Sequence, residues 1–177
     1  MPRIPLPTRD DLKTDEERTR WDAFSRGGPM INIMRLYFAN PLLESQGRRL
    51  WRASGLDDRR RELVILRAAF RKQSKYEWHQ HVRFSRRDGM PDADIRAVGN
   101  WQASDRFSDD ERALLAYVDA IVDTGRPDDE LYASVHQGRS DADMLGITCL
   151  IAHYLGLGNV MSALDLETEE PFVGWEL

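Results

Sequence analysis

Three ionisable side chains occupy positions where a packing helix would carry leucine: Glu62, Glu77 and His81. Glu77 and His81 stand four residues apart, one turn along a single helical face. An imidazole beside a carboxylate is a proton-transfer pair, because histidine changes charge near neutral pH and the carboxylate can orient the ring and stabilise its cation. Glu62 falls in the preceding helix, inside an apolar arc with Leu66 and Ala69. A carboxylate there needs a partner, a proton or a pocket, since burying it bare is costly. General acid–base chemistry is the first reading of the trio. A metal site is the second, with Glu77 and His81 as two ligands and Glu62 or His153 as the third, though no His-rich cluster supports it. A buried ion-pair network that only pins two helices together is the third.

The elements that place these groups are two helices, roughly 57–72 and 75–88, joined by a polar turn around Gln73 and Ser74. In the first, Leu63, Ile65, Leu66, Ala69 and Phe70 share an apolar arc, and Arg60, Arg67 and Arg71 are expected on the opposite side. In the second, Trp78, Val82 and Phe84 bound the apolar arc. Glu77 and His81 sit inside it, while His79, Gln80, Arg83, Arg86 and Arg87 are expected to face away. Ser74 can cap the second helix or bond a substrate. Tyr76 and Trp78 flank the trio in sequence, and Trp101 and Phe107 lie in an expected loop. Ser74, Tyr76, Trp78 and Trp101 are therefore the candidate substrate contacts.

The run RELVILRAAFRKQSKYEWHQHVRFSRRDGM and the closing IAHYLGLGNVMSALDL resemble the carboxymuconolactone decarboxylase and AhpD-like superfamily, over about Ile31 to Asp165. The resemblance implies an all-α fold built around a helical hairpin. It also implies assembly into dimers, trimers or hexamers with sites near subunit contacts. The AhpD-like branch carries a Cys-x-x-Cys-x-x-x-His run backed by an upstream glutamate. Setting that histidine on His81 puts the cysteine positions on Ser74 and Glu77 and the upstream glutamate on Glu62. Neither sulfur is present, so thiol peroxidase chemistry is not expected. The decarboxylase branch resembles the spacing of Glu77 and His81. It implies a cofactor-free lyase or isomerase acting on a small carboxylated or lactone-type substrate, with Glu62, Glu77 and His81 as catalytic groups. The aromatic-flanked stretch YEWHQH departs from the typical decarboxylase run. A non-catalytic oligomeric binding protein is the alternative.

The 177 residues suffice for one domain with a sizeable core, and 41% are hydrophobic. The net charge of −5 argues against nucleic acid as a partner. The single cysteine, Cys149, excludes an intrachain disulfide. The start lacks an apolar signal core, and the longest apolar run, 144–157, is interrupted by Gly146, Thr148, His153 and Gly156. No membrane span and a cytoplasmic location are the expectations.

Along the chain, residues 1–30 read as an extended arm followed by a polar helix. The arm is expected to be disordered or draped over a neighbouring subunit. The helix opens at the Thr14–Glu17 capping box and closes at the Arg26-Gly27-Gly28-Pro29 run. Residues 31–165 form the helical domain and 166–177 a tail. A helix is expected over 32–39, another from Asn40-Pro41 to near Gly55, and one capped by Asp57. Gly89 and Pro91 separate two more. Ser108 opens a second capping box, Gly125 and Pro127 punctuate the chain, and a last apolar helix begins near Ser140. No strand-like alternation occurs, so the fold class is all-α.

Overall fold

The computed structural model describes residues 2–25, 28–40 and 46–177, without the side chains of 46–48. Among the described residues every regular element is helical. The helices are α1 (Asp15–Ser25), α2 (Asn32–Phe38), α3 (Gln46–Ala53), α4 (Asp58–Lys72), α5 (Lys75–Arg87), α6 (Asp92–Ala97), α7 (Asp109–Thr124), α8 (Asp129–His136) and α9 (Asp141–Ala163). The expected closure of the first helix at Arg26-Gly27, and the expected start of another at Pro41, lie outside the described residues.

The middle of the molecule is α4. Asp57 caps it, its carboxylate accepting the Arg60 backbone N–H at 2.8 Å, which satisfies one of the donors a helix start leaves over. From Glu62 to Ala69 every residue is buried. Leu63 and Leu66 feed one apolar cluster with Trp78, Val82 and Ile95. Val64, Ile65 and Ala68 feed another with Leu114, Val118, Ile147 and Leu150. Each such side chain contributes about 1.5–3 kcal/mol of burial, so α4 is a fixed platform.

This corrects the expected polar side of α4. Arg67 is 5% exposed because α5, α7 and α9 surround the helix and leave it no solvent face at mid-length. Its guanidinium donates to Asp119 at 2.7 and 2.8 Å and to the carbonyls of Val98 and Gly99. Asp119 also accepts from Arg71 and from the Trp101 indole N–H at 2.9 Å.

A left-handed Gln73 (φ 52°) reverses the chain between α4 and α5. The capping boxes form at Thr14–Glu17, Ser108–Glu111 and Ser140–Asp143. Trp101 lies in a 3-10 turn over Val98–Ala103 rather than in an open loop. The close approach of α3 to α9 depends on Gly146, where a Cβ would stand 1.9 Å from the Ala53 carbonyl oxygen.

Both termini fold back onto this frame. The arm lies on its own chain: the Arg3 backbone N–H donates to Leu164 at 2.9 Å and its guanidinium to Asp165 at 2.7 Å. The tail crosses α5, where the Trp78 indole donates to the Gly174 carbonyl at 2.7 Å and Trp175 packs on Phe70 and Trp78. At 23 residues, α9 is long and apolar enough to cross a membrane by length and composition, which corrects the expectation that no such run exists. In this fold it is a core helix, with Ile147, Leu150 and Ile151 fully buried.

Candidate active site

The trio expected from the sequence meets at one place. His81 of α5, 3% exposed, bonds through Nδ1 to Glu62 Oε2 at 2.7 Å. Its Nε2 faces Glu77 Oε2 at 3.4 Å. Tyr154 and Phe84 meet the ring edge-on at 5.1 and 5.4 Å and fix its plane. Burial alone would lower the His81 pKa, but the two carboxylates outweigh it and lift the value from 6.5 to about 9. The ring is therefore an imidazolium at neutral pH. Glu62 Oε1 and Glu77 Oε1 are buried without a hydrogen-bond partner.

The two sides of His81 differ. Glu62 lies behind the ring, on the wall of a small cavity of about 100 Å³ shared with Arg59, Ser85 and Asp88. Glu77 and His81 lie in front, on a cavity of about 340 Å³ whose apolar walls include Ile33, Met34, Tyr37, Trp51, Phe84 and Leu157. Tyr154 from α9 also lines it, its phenol oxygen accepting the Trp51 indole N–H at 2.5 Å. Burial raises the Tyr154 pKa, so the phenol keeps its proton and can donate it to a ligand. Tyr37 is pushed to about 12 by burial and by Glu77.

The tail closes one end. Glu169 accepts from the Tyr76 hydroxyl at 2.8 Å, from Gln80 Nε2 at 2.5 Å and from the Asn32 backbone N–H. The Tyr76 oxygen in turn accepts the Ile33 N–H at 3.0 Å. One exposed carboxylate thus ties α2, α5 and the tail around the cavity. Glu169→Ala is expected to cost about 1–2 kcal/mol, since it strands the buried Tyr76 and Gln80 donors. Limited proteolysis should then cut residues 166–177 faster than in the wild-type protein.

Of the expected substrate contacts, only Tyr76 lines the cavity. Ser74 stands at the N-cap of α5 but caps nothing, and its Oγ is buried without a partner beneath Gly158. Trp78 is 0% exposed in the core, and Trp101 faces Asp119 on the other side of α4. His79 and Gln80, expected to face solvent, are 0% and 2% exposed, because the tail lies over that flank. The Val173 N–H donates to His79 Nδ1 at 3.3 Å, and burial lowers the His79 pKa. The cavity residues with no local sequence signal are Trp51, Gln80 and Tyr154, supplied by three different helices. Among the described residues no group of three His, Cys, Asp or Glu side chains is arranged to hold a metal ion. The two ring nitrogens of His81 are each turned to a different carboxylate.

Residues 38–120, which carry the whole trio, match the family model described as the carboxymuconolactone decarboxylase family. Among solved structures, a protein of unknown function from Agrobacterium tumefaciens, proposed as an antioxidant defence protein AhpD, is 27% identical. That match covers 75% of this chain and 94% of the other, with a TM-score of 0.66. An uncharacterised peroxidase-related protein with an alkylhydroperoxidase AhpD core, from Ralstonia eutropha JMP134, is 17% identical. It covers 99% and 97% of the two chains with a TM-score of 0.78. The debrominase Bmp8, in a variant solved with 2,3,4-tribromopyrrole, is 17% identical over 94% and 91% with a TM-score of 0.71. A comparison with curated proteins returned no match. The chain matches the carboxymuconolactone decarboxylase family model over residues 38–120, and its fold is the AhpD-like helical fold. Set against the AhpD-like motif, it carries Ser74 and Glu77 where the dithiol would stand.

Proposed function

We propose that this protein is a cofactor-free lyase or isomerase that moves protons on a small, mostly apolar substrate. The observation that carries the reading is His81, held between two buried carboxyl groups at the wall of a ligand-sized cavity. In its resting state His81 is an acid. The nearby acceptor is Glu77, whose Oε1 has no partner. Glu77 takes a proton from a carbon of the substrate as Nε2–H of His81 delivers one to a second atom. The protonated Glu77 then returns its proton to Nε2, and both groups are restored. Glu62 holds Nδ1–H throughout and keeps the ring charged. The Tyr154 hydroxyl is placed to stabilise an oxyanion that develops during the transfer.

The reading of the trio as a closed structural ion pair predicts no cavity above it, whereas Glu77 and His81 both line one of about 340 Å³. Self-association belongs to the proposal as well, supported by the exposed Leu145 (66%) and Val160 (45%) of α9.

The test is proton exchange. Cyclic enones and enol lactones that carry a hydroxyl or N–H group, with and without a carboxyl group, are incubated with the protein in D₂O and followed by proton NMR. At least one compound is expected to exchange a carbon-bound proton, and His81→Gln and Glu77→Gln should slow that exchange on the order of 10²-fold or more. Exchange at the wild-type rate in both variants, or in no compound at all, contradicts the proposal.

A further inference from the structure

We infer that the cavity over Glu77 and His81 selects small, largely apolar molecules that donate hydrogen bonds, neutral or cationic, and rejects carboxylates. The inference rests on the acid–base reading of the same site, but it concerns binding and needs no turnover.

Two buried acceptor oxygens, on residues that line the cavity, lack partners. One is Glu77 Oε1 and the other is Gln80 Oε1. The orientation of the Gln80 amide follows from its neighbour, because a carboxylate accepts only: with Glu169 beside it, the amide places Nε2 against Glu169 and leaves Oε1 to the other side. Residues 77 and 80 are three apart on α5, so the two acceptors project from one helical face. A buried acceptor without a donor is held at a cost, which a donating ligand removes.

The charges point the same way. Among the described residues no lysine or arginine lines the cavity. The one imidazolium, His81, is already flanked by Glu62 and Glu77. His153, the other histidine on the wall, has its pKa lowered by burial and is neutral at pH 7. An entering carboxylate would give up its water shell, meet two acidic side chains that already share His81, and find among the described residues lining the cavity no lysine or arginine to pair with it. The carboxylated substrate implied by the family resemblance therefore does not suit this cavity. A phenol, an amine or an N–H heterocycle does. The volume of about 340 Å³ lies near the lower end of ligand pockets, roughly 300–1,000 Å³, which fits a single substituted ring.

The test compares three probes of similar size at pH 7 by titration calorimetry: 4-methylphenol, benzylamine and 4-methylbenzoate. The phenol and the amine are expected to bind at least about tenfold more tightly than the benzoate. Glu77→Gln should cut the preference for benzylamine over the benzoate by about tenfold or more. Gln80→Leu should weaken the phenol without helping the benzoate, which keeps the test open if the first variant folds poorly. The inference is overturned if the wild-type protein binds 4-methylbenzoate as tightly as 4-methylphenol, or binds none of the probes. Should carboxylated compounds bind and exchange protons through His81, the selectivity is wrong while the acid–base reading stands. Should the probes bind in the expected order and no compound exchange protons, the acid–base reading is wrong and the selectivity stands.

Discussion

Replacing His81 by alanine is expected to destabilise the protein by about 3–5 kcal/mol at neutral pH, the range for removing one member of a buried ion pair. Glu62 and Glu77 are 1% and 4% exposed. Without the imidazolium, both carboxylates stay buried with no cation between them, and each retains an oxygen that already lacks a partner. For a chain of this size the loss corresponds to a fall in Tm of roughly 6–20 °C. The second variant, Glu62→Gln with His81→Ala, separates charge from packing. Neutralising Glu62 should recover part of the loss, so the two substitutions together cost less than their sum. Additive costs would mean that the Glu62–His81 bond contributes packing alone. Proton exchange on any accepted compound should disappear with the ring.

The second large effect is a pH dependence that runs opposite to the usual behaviour of buried histidines. His81 has a folded pKa of about 9 against an ordinary 6.5, so the folded protein holds this proton more tightly than the unfolded chain does. The stabilisation is fully present below 6.5 and is lost as pH rises through about 9. A gap of that size corresponds to about 3 kcal/mol. His79 and His153 act in the other direction. Burial lowers both pKa values, so the unfolded chain takes up those protons first and stability falls as pH drops below the ordinary histidine value. Chemical denaturation across pH should therefore show a maximum near neutral or slightly acid pH and a pronounced decline toward pH 9. In His81→Ala the alkaline decline should be absent.

Much of the site could be read from local rules. Glu77 and His81 share a face because they are four residues apart, and Glu62 stands among leucines on the next helix. Asp57, Ser108 and Ser140 each cap the helix they precede, since capping depends on a residue and its near neighbours alone. The errors have a common cause. A helical wheel assumes one wet face, and neither α4 nor α5 has one along its middle. Arg67 is enclosed by the elements around α4, and His79 and Gln80 are enclosed by a tail nearly a hundred residues further along the chain. Trp101 was placed by the Asp119 carboxylate rather than by any pattern around it. Tyr154 and Trp51 carry no local signal that marks them as cavity residues. That they form one hydrogen-bonded wall beside His81 depends on the approach of α3 to α9 at Gly146, which no spacing within either segment records.

The proposed proton transfers require a protonated His81, and nitrogen NMR of its side chain reads that state directly. Both ring nitrogens should carry protons at pH 7 and titrate together near 9, and Glu62→Gln should move the titration down by more than one unit. A wild-type His81 that is neutral at pH 7, titrating at or below the ordinary 6.5, would contradict the imidazolium and the proton transfers built on it.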